Sequence, residues 1–146
     1  MRMANGMVVN LRSFLALLAV LGGGFFHADA NAGAASFSVT NQNAGAYVID
    51  GQFNPPLQLT RGETYTFNIN ASGHPFLIKT VQGSGAGNQF SNGVTGNGTQ
   101  VGTLTFTVPL NAPSTLFYNC QFHPLMTGMI TVIDGNLDRI FGDGFE

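Results

Sequence analysis

Tyr118-Asn119-Cys120-Gln121-Phe122-His123-Pro124-Leu125-Met126-Thr127-Gly128-Met129-Ile130-Thr131-Val132 is the stretch of this 146-residue chain that decides its reading. It opens on an apolar, strand-like run over Thr115–Asn119 and closes on another over Met129–Ile133. Between them the pattern C-x2-H-x2-M places a thiol, an imidazole and a thioether within seven residues at a strand end. Taken singly, each has an ordinary explanation. A lone Cys is usually a small buried hydrophobe, and Met fills core gaps. His123 before Pro124 suits a turn. The spacing of all three makes the stretch informative.

Working outward, the rest of the chain reads as further short strands. Ser36–Thr40, Tyr47–Asp50, Leu57–Thr60, Thr64–Ile69, Phe76–Thr80 and Gly102–Val108 each alternate or run apolar, and Gly, Pro and Asn punctuate them. Tyr65, Phe67 and Ile69 share one face, as do Leu104, Phe106 and Val108. Period-2 alternation at this spacing predicts an all-β sandwich or barrel, and no stretch sustains a helical period. The longest irregular segment is Gly83–Thr99, in which 13 of 17 residues are Gly, Asn, Ser or Thr. It reads as a flexible excursion anchored by Phe90. Loops of that length are uncommon in compact domains and are often functional or mobile. Gly83-Ser84-Gly85-Ala86-Gly87 is no phosphate loop, because neither a helix pattern nor a Lys-Ser/Thr pair follows.

The ends are read separately from the fold. Arg2 and Arg12 precede the apolar run Phe14–Leu21, and Ala28-Asp29-Ala30 fits a small-residue cleavage site. Residues 1–30 are therefore expected to be a secretory signal peptide. The run is short for a membrane span and Gly22-Gly23-Gly24 interrupts it, so no span is expected after cleavage. One folded domain is expected over 31–134 and a flexible tail over 135–146, with Asp138–Glu146 a frayed end or a recognition element. Cleavage leaves basic Arg61, Lys79 and Arg139 against acidic Asp50, Glu63, Asp134, Asp138, Asp143 and Glu146. That balance excludes a basic nucleic-acid footprint. It also leaves two histidines, His74 and His123, since His27 lies in the leader. Cys120 is the lone cysteine and forms no disulfide within the chain. In an oxidising compartment such a thiol is buried, paired with another chain or put to chemical use.

His74, in Ser72-Gly73-His74-Pro75-Phe76, completes a donor set with Cys120, His123 and Met126. Thiolate and thioether are soft donors that favour Cu(I), and imidazole suits both copper oxidation states. Two His and one Cys with a weak axial Met make a blue-copper site. Zinc is the rival metal, but a structural zinc site closes with a fourth strong Cys or His, and this chain has none to offer.

The chain resembles the cupredoxins, the plastocyanin, pseudoazurin and amicyanin group of small blue-copper proteins, from about Tyr47 to Ile133. The resemblance rests on Arg61-Gly62-Glu63-Thr64-Tyr65-Thr66-Phe67, His74, Val108-Pro109, and Tyr118-Asn119-Cys120 through Val132. The short C-x2-H-x2-M loop is most similar to amicyanin. The resemblance implies a Greek-key β-sandwich with one type 1 copper ion at one end, bound by His74, Cys120, His123 and Met126. The family register places the axial Met before x-G-x-I/V-x-V, which selects Met126 over Met129. It implies electron passage through a partly exposed His123. Three positions depart from the pattern. Asn119 stands where many relatives carry an outward aromatic before the Cys. Pro75 stands where many have Asn, whose backbone N–H donates to the Cys sulfur. Phe122 replaces a Pro before the second His.

The expected function is that of an exported, periplasmic or secreted carrier of single electrons, a monomer and not an enzyme. Redox proteins, soluble or membrane-attached, are expected to dock near His123, Pro124 and Leu125. A multicopper oxidase or nitrite reductase needs further histidines, and a two-copper purple centre needs a second Cys near Cys120. The remaining alternative is a copper-holding or adhesion protein on the same fold.

Overall fold

The computed structural model describes residues 26–27 and 35–135. The expected leader and tail lie outside them, apart from residues 26–27, Gly135 and the strand pairing given below. Eleven strands form the described chain: β1 Phe26–His27, β2 Ala35–Gln42, β3 Ala46–Ile49, β4 Gln52–Phe53, β5 Leu57–Thr60, β6 Thr64–Asn70, β7 Phe76–Lys79, β8 Val94–Thr95, β9 Val101–Thr107, β10 Thr115–Cys120 and β11 Thr127–Ile133. They make two sheets, ordered β1-β5-β11-β10-β7 and β4-β3-β2-β6-β9-β8. The chain passes repeatedly from one sheet to the other, at β1–β2, β4–β5, β5–β6, β6–β7, β7–β8 and β9–β10, which makes it an all-β sandwich. Most neighbours are antiparallel. The pairs β2–β6, β5–β11 and β1–β5 are parallel.

The alternation seen in the sequence is what closes the sandwich. Phe37 and Val39 of β2, Tyr65, Phe67 and Ile69 of β6, and Leu104 and Phe106 of β9 point inward from one sheet. Leu57 and Leu59 of β5, Leu116 and Tyr118 of β10, and Ile130 and Val132 of β11 meet them from the other. A full core side chain of this size contributes about 1.5–3 kcal/mol on burial. Aromatic rings gather under one end. Phe76 stacks on Tyr118 with centroids 5.4 Å apart, and the Tyr47 ring packs roughly at right angles to both, 4.9 Å from Phe76 and 6.2 Å from Tyr118. Gly128 is required there, because a Cβ on it would overlap the Tyr118 hydroxyl, its register partner across β10 and β11. The opposite end is tied by Arg61, which donates to the Asp134 carboxylate, the Ala112 carbonyl and the Ser114 hydroxyl.

Three features differ from the sequence reading. The two-residue strands β1, β4 and β8 were not expected, being too short for a period to show. The last strand begins at Thr127 rather than Met129. The third difference lies at β7, which is buried on both faces. Phe76 and Ile78 face the core, while Leu77 and Lys79 lie under the Gly83–Thr99 segment. That segment is not a free excursion. Its residues bridge to β7 at Phe76–Thr99 and Lys79–Gln89, and its β8 pairs with β9. Phe90 does anchor it, with its ring 5.9 Å from that of Phe106.

Candidate metal centre

Strand pairing brings the candidate ligands together. Cys120 is the last residue of β10, and its register partner on β7 is Phe76, two residues after His74. The β7–β10 ladder thus delivers a thiol and an imidazole that are 46 residues apart in sequence. His123 and Met126 lie in the turn between β10 and β11. That turn is closed by the Cys120 N–H donating to the Met126 carbonyl at 2.9 Å and the Met126 N–H donating to the His123 carbonyl at 3.2 Å. The Gln121 N–H donates to the Pro75 carbonyl at 3.1 Å, joining the two ligand segments through backbone.

His74, Cys120 and His123 form one cluster with their donor atoms within 4.8 Å of one another. The two Nδ1 atoms are 3.1 Å apart, and the Cys120 Sγ lies 3.8 Å from that of His74 and 3.5 Å from that of His123. A point equidistant from three atoms so spaced lies about 2.0 Å from each, close to ordinary metal–nitrogen and metal–sulfur lengths. The triangle is therefore sized for one ion. Burial, and after it the facing His123 ring, holds the His74 imidazole below its usual pKa, which keeps it unprotonated and able to ligate. Cys120 is fully buried and both rings are half-buried.

The two methionines are sorted by strand phase. Met126 is fully buried in the cluster that includes Cys120, whereas Met129 points out of β11 and is 43% exposed. Pro124 and Leu125 are exposed beside His123. Asn119 is fully buried, and its Oδ1 accepts from the Gly83 N–H at 2.7 Å while its Nδ2 donates to the Cys120 carbonyl at 3.1 Å. The position beside the Cys thus offers no outward side chain, in keeping with the absence of an aromatic there.

Comparison with solved structures gives the architecture its place. A rusticyanin variant matches with a TM-score of 0.54 at 20% identity, over 79% of this chain and 85% of that one. Rusticyanin from Thiobacillus ferrooxidans matches with a TM-score of 0.50 at 22% identity, over 67% of this chain and 76% of that one. No family model and no curated protein sequence matches.

The chain has the cupredoxin fold.

On this cupredoxin fold the donor chemistry fits a single copper ion. The cluster offers one thiolate and two imidazoles without a further Cys, His or carboxylate among the described residues. That is the set soft enough for Cu(I) and acceptable to Cu(II), and it lacks the fourth strong donor of a structural zinc site.

Sequence reasoning missed Tyr47, Asn54 and Phe53. The Tyr47 hydroxyl donates to the His74 carbonyl at 2.9 Å. Burial, followed by the neighbouring Cys120, pushes the pKa of that hydroxyl far up, so it remains a donor. The Asn54 Nδ2 donates to the Leu125 carbonyl at 2.9 Å. Phe53, 65% exposed, precedes it in β4. The signal in the sequence was Asn54-Pro55-Pro56, a turn in which Asn tolerates a left-handed backbone.

Proposed function

We propose that this chain is an exported type 1 copper protein that passes single electrons between redox partners. In this reading His74, Cys120 and His123 would hold the ion and Met126 would supply a weaker thioether donor. The carrying observation is the Cys–His–His triangle, sized for one ion and formed where a half-exposed His123 meets the surface. Bound copper would supply the one-electron couple. The chain's own part is to keep both imidazoles in register with the sulfur and to shield the sulfur from water. Shielding comes from the buried ends of β7 and β10 and from the packed aromatic rings beneath. Little atomic motion is then needed when the charge changes, which is the condition for fast transfer.

Partners are proposed to dock over His123, Pro124 and Leu125. Phe53, Phe122 and Leu125 are all exposed near this end, and Asn54 ties the Phe53 turn to Leu125. No helix among the described residues is long and apolar enough to cross a membrane. Export rests on the leader pattern over residues 1–30. The non-enzymatic reading rests on the histidine count, since both histidines outside the leader are spent on one site. Titrating the metal-free protein with Cu(II) tests the proposal. An intense blue absorption saturating at one equivalent, absent in Cys120→Ser, is expected. A colourless or weakly absorbing complex with full copper occupancy would move the protein to the copper-holding reading.

A further inference from the structure

We propose that Tyr47 and Asn54 form a clamp that fixes both ligand-bearing segments before any metal arrives. The proposal deepens the copper reading above and rests on it. Asn54 sits in the left-handed region at φ 44°, where Asn is several-fold enriched over other non-glycine residues. From there it grips Tyr47 twice through backbone groups. The Asn54 N–H donates to the Tyr47 carbonyl at 2.8 Å, and the Tyr47 N–H donates to the Asn54 Oδ1 at 2.9 Å. With Oδ1 facing an N–H, Nδ2 is left to face a carbonyl, and it donates to Leu125, 71 positions along the chain. This amide orientation satisfies every partner.

Tyr47 carries the other arm. Its side chain is fully buried, with its ring edge against Phe76 at 4.9 Å. Its hydroxyl ends on the His74 carbonyl. One locked residue pair therefore holds the carbonyl of the first ligand and a carbonyl of the loop carrying His123 and Met126. Neither residue is itself one of the candidate ligands, so both are positioning residues. Their effect is to take the ordering of the ligand loop out of the metal-binding step. Ordering a backbone residue costs conformational entropy, so a loop held in advance binds its ion more tightly.

Asn54→Asp tests this with little change of shape. It keeps the acceptor for the Tyr47 N–H and removes the donor to Leu125. Tyr47→Phe removes the hydroxyl alone. Amide hydrogen exchange on the metal-free protein reads the clamp without copper. Exchange at the Cys120 and Met126 amides is expected to quicken about fivefold or more, as loss of one hydrogen bond implies, while β6 and β9 amides keep the parent rate. Competition for Cu(I) against a chromophoric chelator is then expected to show affinity about five- to tenfold weaker. In both variants the visible bands of the Cu(II) form should shift in relative intensity.

Unchanged loop exchange and a Cu(I) dissociation constant within about twofold of the parent would overturn the clamp. So would faster exchange spread equally over β6 and β9, which marks a merely structural role. Asn54→Gly keeps the left-handed backbone, deletes both side-chain contacts and decides the matter should another variant fail to fold. A parent protein that binds Cu(I) without turning blue as Cu(II) would defeat the proposed function, while loop exchange would still read the clamp.

Discussion

The ligand loop from Cys120 to Met126 and the segment from Gly83 to Thr99 are both irregular, and they lie against each other. The first is short, carries three donor types and is closed by two backbone hydrogen bonds of its own. The second is long, polar and rich in glycine, and composition alone marks it as loose. In the structure it is the cover of the first. The Gly85 N–H donates to the Gln121 carbonyl at 2.6 Å and the Gly83 N–H to the Asn119 Oδ1 at 2.7 Å. The Lys79 ammonium donates to the carbonyls of Gly83, Ser84 and Gly85. Farther on, the Asn97 Oδ1 accepts from the Ile78 N–H at 2.8 Å, and its Nδ2 donates to the Phe90 carbonyl at 3.2 Å. Order in a loop follows from where its backbone polar groups find partners. This segment finds them along β7, an edge strand that would otherwise stand open.

Damaging each loop separately should have opposite effects on colour and stability. Cys120→Ser should remove the blue band altogether, because thiolate charge transfer produces it, and leave the unfolding midpoint of the metal-free protein almost unmoved. Gly93→Ala should do the reverse. Gly93 has φ +76°, and a Cβ there would overlap the Thr107 carbonyl oxygen. A cost of roughly 2–4 kcal/mol is expected, with the colour of the folded fraction retained. Denaturant unfolding and visible absorption on the same samples separate the two outcomes. Colour lost in Gly93→Ala while the fold persists would mean that the cover shapes the metal site directly.

A smaller effect is expected from the two methionines. Met126→Leu should change both the colour and the reduction potential, since a thioether donor at that position would tune them. Met129→Leu, on the exposed face of β11, should leave both near the parent values. Electrochemistry and absorption spectra of the pair decide which thioether ligates, and a larger change from Met129→Leu would reverse the assignment.

Smaller again is the effect expected at the surface. Leu125→Lys puts a charge on a side chain that is 73% exposed beside His123. It should slow electron exchange with a partner about three- to tenfold, the order of a lost apolar contact, without altering the spectrum. The chain carries few charges, so the salt dependence should be shallow. Stopped-flow rates at two ionic strengths measure both. A rate equal to the parent's would place docking elsewhere.

The two loops also show what the sequence makes legible. Cys120, His123 and Met126 announce themselves because their chemistry lies in residue type and local spacing. His74 follows from the scarcity of imidazoles. The strands of β6, β9 and β11 follow from alternation, which a sheet with one buried face enforces. The Tyr47–Asn54 pair and the Lys79 cage did not follow. Each is built from backbone carbonyls and a conformation at a single residue, and any polar sequence carries those groups. Lys79, counted in the sequence only as one of the few basic residues, is 2% exposed. A buried cation without partners would be costly, and only the path of the chain shows that three carbonyls offset that cost.

Pro75 is where the ligand segments meet without a donor to the sulfur, and it carries the subtlest expectation. The ring nitrogens at 3.5 and 3.8 Å are the hydrogen-bond-range neighbours of the Cys120 Sγ among the described residues. Pro75 is buried directly before Phe76, the register partner of Cys120, and its carbonyl accepts from Gln121. Proline has no N–H to give. Pro75→Asn supplies one at that position and leaves the carbonyl in place. A hydrogen bond to the thiolate withdraws electron density, which disfavours Cu(II) and raises the potential. Its net worth is on the order of 1 kcal/mol, roughly 40 mV for a one-electron couple. Losing the proline also frees the unfolded chain and costs about 0.4–1 kcal/mol of stability, so thermal unfolding must be followed alongside. The expected variant is blue, slightly less stable and higher in potential. A potential equal to or below the parent's, with the spectrum intact, would show that position 75 does not act through the sulfur.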